Sequence, residues 1–234
     1  MAPSRRDPMF RDQLEDFIDD LRGLFIGDRT IGDTALPPVI FVATQRPLGV
    51  GWGAAMALAV AMVFVVWRRS RGGSSLYALG GIATVGFAAF FAVRSGEAED
   101  FFIPGIVSAF FWAGAGTISI ALRRPFLVFA SAFYRKWPLN WYWRNDVRPA
   151  YSVVSMWWVI YNLGRGVGQF WLYSDDRVEL LLTFKLLSSY PVSVPLAFAA
   201  YVYGNRKLHR LGGPNVDEFR LAKGPPFAGG QHGF

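Results

Sequence analysis

The chain contains no cysteine, which excludes disulfides and thiolate metal sites. Histidine is almost as scarce. His209 and His232 are the only two, and both follow the last long apolar run. No apolar run can therefore offer an imidazole to haem or a metal, and no Ser/His/Asp set can form around either histidine. The glycine-rich stretches Gly49-Val-Gly-Trp-Gly and Gly164-Arg-Gly-Val-Gly lie at or inside apolar helical runs, without the flanking strand that a phosphate loop requires. Glu97, Glu99 and Asp100 could pair as catalytic carboxylates, but they read more simply as a solvated turn. The expectation is a protein that is not an enzyme and uses no cofactor or metal.

Charge is also sparse. Of 234 residues, 18% are charged while 53% are hydrophobic and 17% aromatic. The charges collect between apolar blocks of roughly 16–25 residues, about what a helix needs to cross ~30 Å of hydrocarbon. The predicted fold is all-α, a polytopic transmembrane helical bundle. Its six predicted spans run over about Asp33–Pro47, Val50–Trp67, Leu76–Val93, Phe101–Leu122, Tyr151–Tyr173 and Glu179–Tyr203. This divides the chain into a cytoplasmic N-terminal segment (1–30), a transmembrane domain (31–204) and a flexible cytoplasmic tail (205–234).

In the N-terminal segment, Phe10, Leu14, Phe17, Ile18, Leu21 and Phe25 recur at three- and four-residue steps, which predicts an amphipathic helix. Its other face sets Asp12, Glu15, Asp16, Asp19 and Asp20 against Arg11 and Arg22. Interfacial helices usually carry Lys and Arg on that face, so docking on the chain's own basic loops or on a partner is preferred over lipid adsorption. The competing reading is an ordinary solvated helix.

Residues 123–148 form a basic, aromatic connector in which Trp137, Trp141, Tyr142 and Trp143 interleave with Arg135, Lys136 and Arg144. Such interleaving can stack nucleic-acid bases. Beside apolar spans it reads instead as a segment at headgroup level, where Trp and Tyr prefer to sit. The expected partners are membrane lipid and other membrane proteins, met through the N-terminal helix and this connector, and not nucleic acid.

The net charge of +7 follows from how helices insert, because cytoplasmic loops collect Lys and Arg. With six spans and a cytoplasmic N-terminus, 19 of the 24 basic residues fall in inner segments and only Arg46, Arg94 and Arg177 in outer ones. Arg165 and Lys185 remain, both inside spans. The asymmetry predicts that both termini are cytoplasmic.

Arg165 is the candidate functional residue. Asn162 and Gln169, three residues before it and four after, share its helical face, and Gly164, Gly166 and Gly168 thin the helix around it. A guanidinium at that depth costs ~2.5–3.5 kcal/mol on insertion scales, so it needs a partner. Two readings compete: a site for an anion or substrate, or a structural arginine bonded to carbonyls or a carboxylate. The carboxylates within reach in this topology are Glu97, Glu99, Asp100 and Glu179. Lys185 can either join such a site or snorkel to the outer interface. After it, Ser188, Ser189, Pro191 and Pro195 predict a kinked sixth helix.

The acidic turn Ala98-Glu99-Asp100-Phe101-Phe102-Ile103-Pro104-Gly105, the exit Leu122-Arg123-Arg124-Pro125 and the later helix with Arg165 resemble an uncharacterised, domain-of-unknown-function family of bacterial integral membrane proteins. That family is itself similar to the intracellular septation protein A group. The resemblance covers roughly residues 30–210 and implies a bacterial plasma-membrane protein without an established activity. Two function classes follow. The first is a non-enzymatic assembly, scaffolding or envelope-organisation subunit. The alternative is a small-solute or ion transporter with its site around Arg165 and the kinked sixth helix.

Overall fold

A computed structural model of the protein describes residues 31–70 and 75–227. The amphipathic helix expected over Phe10–Ile26 lies outside them. The described elements are helical throughout: α1 (Ile31–Leu48), α2 (Val50–Ser70), α3 (Ser75–Ser95), a 3-10 turn (Glu99–Phe102), α4 (Ile103–Ala121), α5 (Phe126–Arg135), α6 (Leu139–Tyr142), α7 (Arg148–Ser174), α8 (Val178–Ser188), α9 (Tyr190–Leu211) and α10 (Val216–Arg220). Five of the predicted spans fall almost wholly in helix, and the sixth, Glu179–Tyr203, covers two helices that meet at Ser189. Among the described residues three segments are long and apolar enough to cross a membrane: Val50–Trp67, Glu99–Ala121 and Val178–Leu211. The other three predicted spans, in α1, α3 and α7, do not meet that measure among the described residues. Helix α1 carries three prolines and Arg46, the described apolar part of α3 is only Gly80–Ser95, and α7 holds Arg165, Asn162 and Gln169.

The last apolar segment is interrupted rather than gently kinked. Ser189, between α8 and α9, leaves helical geometry with ψ −113°. Pro191 explains why, since it has no N–H for the carbonyl four residues back and its ring crowds that carbonyl. Serines take up part of the loss: the Ser189 hydroxyl donates to the Leu186 carbonyl at 2.7 Å and the Ser188 hydroxyl to that of Lys185 at 3.4 Å. Pro195 is accommodated inside α9.

The chain divides into two compact units, whose boundaries fall within α4, α7 and α9. The unit holding residues 19–109 and 165–191 is built on α1, α2, α3 and α8. Gly49, with φ +86°, makes the α1–α2 turn. A Cβ on Gly53 would sit 3.0 Å from that of Gln45, so the glycine run is a tight helical hairpin. The core of this unit is largely small: Ala54, Ala57, Ala88, Ala89, Ala92 and Ala98 pack around Phe41, Phe101, Phe102 and Leu181. Small residues let helices approach closely where the solvent outside is itself apolar. Gly80 and Gly81, small as they are, meet nothing within 4 Å. Outward, Met62, Val63 and Val66 are exposed, an apolar face that a bilayer would cover.

In the unit holding residues 110–164 and 192–234, α4 ends without glycine. Arg123 takes the left-handed conformation (φ 57°), and the Arg124 N–H reaches back to the Ser119 carbonyl at 2.8 Å. This six-to-one closure normally favours glycine at the left-handed position. Pro125 then stops the helix, and the Phe126 N–H donates to the Ser119 hydroxyl at 3.2 Å, tying α5 to the end of α4. A Cβ on Gly116 would meet Val159 at 2.6 Å, so α7 lies directly against α4 there.

Residues 205–227 differ from the flexible tail expected of them. Helix α9 continues to Leu211, and Leu208 and Val216 join Val128, Trp141, Tyr142, Val147 and Tyr151 in one buried cluster. The Trp141 indole N–H donates to the Pro214 carbonyl at 2.9 Å. Asn215 and Glu218 cap α10 reciprocally, satisfying two otherwise orphaned N–H groups. Asp146 accepts two bonds from Arg144, at 2.9 and 2.8 Å. Within the same cluster Tyr142 bonds to Ser131 at 3.0 Å. Burial pushes its phenol above the ordinary range, against the opposing pull of the Ser131 bond and the Arg135 charge. It therefore stays neutral at physiological pH.

Candidate functional site

Arg165, Gln169 and Tyr173 stand four residues apart on α7 and share one stripe of the helix. Their surroundings come from the 3-10 turn, the start of α4, and α8. At the C-terminal end of the stripe the Tyr173 hydroxyl donates to an Asp100 carboxylate oxygen at 2.6 Å. One turn inward, Gln169 is 0% exposed, and neither its amide oxygen nor its amide nitrogen has a hydrogen-bond partner. The Gln169 oxygen approaches Gly105, where a Cβ would stand 3.4 Å away. A side chain at Gly168 would strike the Phe184 ring at 2.4 Å, so α8 rests directly on α7 at this level. Another turn inward the Arg165 Nε is buried and unbonded.

Lys185 enters from α8. Its Nζ lies 5.0 Å from the centroid of the fully buried Phe102 ring, a cation–π contact that offsets part of its lost hydration. Arg165 is near enough that its charge acts on that of Lys185. The site therefore brings together two cations and one unpartnered amide.

The carboxylates within reach of this site in sequence are engaged elsewhere or turned out. Asp100 holds Tyr173. Glu179 forms a salt bridge of 2.7 Å with Arg46. Glu97 is exposed and Glu99 is half-buried at the start of the 3-10 turn. Among the described residues no salt bridge reaches Arg165 or Lys185. Asn162, placed on the Arg165 face by spacing, donates instead to the Trp158 carbonyl of its own helix at 2.9 Å. Phe102, Gly105, Gly168 and Phe184 complete the site. Gly168 carried a signal in the sequence as part of the glycine triplet, and Phe102 and Gly105 as members of the acidic-turn motif; Phe184 carried none.

Each buried polar group without a partner costs about 1–3 kcal/mol. A ligand with acceptor oxygens and negative charge would answer the Arg165 N–H, the Lys185 ammonium and the Gln169 amide N–H together. The Gln169 oxygen would take a hydroxyl or a water. A guanidinium N–H, an ammonium and an amide N–H are all donors, and such a set suits an anion.

The fold and this site define a class: a protein helical throughout its described residues, with three segments among them able to cross a membrane, and with a site of two part-buried cations beside a buried amide. The chain belongs to the family described as "Protein of unknown function (DUF3159)", which matches residues 26–211. No curated protein and no solved structure matches it.

Proposed function

We propose that this chain is a multi-pass protein of a bacterial plasma membrane that binds a small oxyanion (carboxylate, phosphate or sulfate) within its helices and carries it across. The observation behind this reading is Gln169, fully buried with both amide atoms unpartnered beside two cations. Depth supports it. Arg165 lies nine residues before the end of α7 at Ser174, about 14 Å along the axis at 1.5 Å per residue. Lys185 lies seven residues after the start of α8 at Val178, about 11 Å in. Both would stand well inside the hydrocarbon, where ionisable residues mark solute pathways. The interruption at Ser189, just beyond Lys185, is of the kind that shapes transporter sites.

Six spans with both termini cytoplasmic remain part of the proposal, resting on the charge asymmetry. Reporter fusions should read outside at Gly96 and inside at Gly204, and a cytoplasmic signal at Gly96 would overturn the arrangement. The carrier itself is tested by uptake of labelled phosphate, sulfate and succinate into proteoliposomes. Saturable uptake of at least one is expected, and uptake no faster than in empty vesicles for all three would refute the carrier. A non-enzymatic assembly or envelope-organising role is favoured by one other observation, the packed connector and C-terminal segment with exposed apolar side chains such as Phe133.

A further inference from the structure

Helix α5 has two apolar faces, one packed and the other largely uncovered, with only Phe129 leaning edge-on against Trp143. Val128 is fully buried and Leu127 and Ala132 pack with it against the tryptophan and tyrosine cluster. The opposite side presents Phe129, Phe133 and Tyr134, with Phe133 at 88% exposed. Ten residues of helix reach only about 15 Å, half of what a crossing of ~30 Å needs. The position of α5 is constrained. It starts four residues after α4, which belongs to a segment apolar enough to span, and the Ser119–Phe126 bond ties its first residue to the last turn of that helix. The uncovered face is thereby held where a span ends.

Within the connector itself the charges are nearly all of one sign. Residues 123–148 carry six basic side chains against Asp146 alone, and Asp146 is engaged twice by Arg144. Arg123 and Arg124 precede α5, and Arg135 and Lys136 end it. Arg124 lies 4.5 Å over the Trp143 ring and Arg135 5.0 Å over that of Trp137, placing guanidinium and indole together at both ends of the helix. Amphipathic helices with aromatic apolar faces and basic flanks lie in the plane of the interface and favour anionic lipid.

We infer that α5 lies flat in the headgroup layer with Phe129, Phe133 and Tyr134 in the lipid, and that its basic ends select anionic lipid. This rests on the membrane reading above but not on the oxyanion site. Because the chain has no native cysteine, single Phe133→Cys, Val63→Cys and Asp217→Cys variants can each carry one nitroxide. In full-length protein in nanodiscs, collisions with dissolved oxygen and with a water-soluble nickel chelate then report depth. Val63 is exposed on α2 and Asp217 is exposed on α10, so they are the lipid and water references.

With phosphatidylglycerol mixed into phosphatidylcholine, the oxygen-to-nickel ratio at 133 should exceed that at 217 several-fold. In phosphatidylcholine alone, or after Arg123→Gln with Lys136→Gln, it should fall towards the aqueous value. Equal ratios at 133 and 217, or no response to lipid charge, would overturn the inference. So would shielding from both reagents, the sign of a protein cover such as the acidic N-terminal segment. An aqueous reading at Val63 would instead sink the membrane reading itself.

Discussion

Arg165→Leu should leave the protein more stable and unable to bind its anion. The guanidinium has a buried, unbonded Nε and no salt bridge among the described residues, and it faces a second cation in Lys185. Replacing buried ion pairs with apolar side chains of similar bulk is often neutral or stabilising, by about 1–4 kcal/mol, and a single, partly buried cation such as Arg165 belongs at the lower end. With ligand present the order should reverse. An anion at a hundred times its dissociation constant stabilises the wild type by about 2.7 kcal/mol, and the variant should gain nothing. Thermal unfolding with and without phosphate, sulfate or succinate reads both effects. A structural arginine predicts instead a loss of stability without ligand. Arg165→Lys keeps the charge but not the fork of donors, and should retain only part of the response.

Trp141→Ala should release the C-terminal segment. Trp141 is 1% exposed, touches Trp137 and Tyr142 edge to face, and bonds the Pro214 carbonyl. Truncating a buried aromatic of this size costs about 3–5 kcal/mol, and here it also orphans a carbonyl. Limited proteolysis should then cut within residues 205–227 much faster than in the wild type. Trp141→Phe keeps most of the ring volume and isolates the lost N–H, so it should be milder, about 1–3 kcal/mol. Unchanged cleavage in both would mean that the segment does not depend on this anchor.

The helices were legible because apolar runs bounded by charge are long, and their periodicity needs no tertiary information. The C-terminal segment was not. Its glycine, proline and charge resemble a loose tail, and its burial depends on a cluster more than fifty residues earlier in the chain. One local signal was present, Asn215-Val-Asp-Glu218, the spacing of a reciprocal helix cap. At the site, spacing alone placed Arg165 and Gln169 on one face, and the structure keeps them there. Spacing also placed Asn162 with them, but a short amide can bond back to its own helix, as it does to Trp158. The engagement of Asp100 by Tyr173 and of Glu179 by Arg46 joins separate helices, which no one-dimensional pattern encodes. Those two bonds take two of the four carboxylates that the sequence offered the cations, and Glu97 and Glu99 form no salt bridge with them among the described residues.

Equilibrium binding of radiolabelled phosphate, sulfate and succinate to the full-length protein in detergent, at physiological ionic strength, tests the intramembrane anion site most directly. At least one of the three should bind saturably at one site per chain, with binding lost in both Arg165→Leu and Gln169→Leu. Absence of saturable binding for all three, or binding that survives both substitutions, would contradict it.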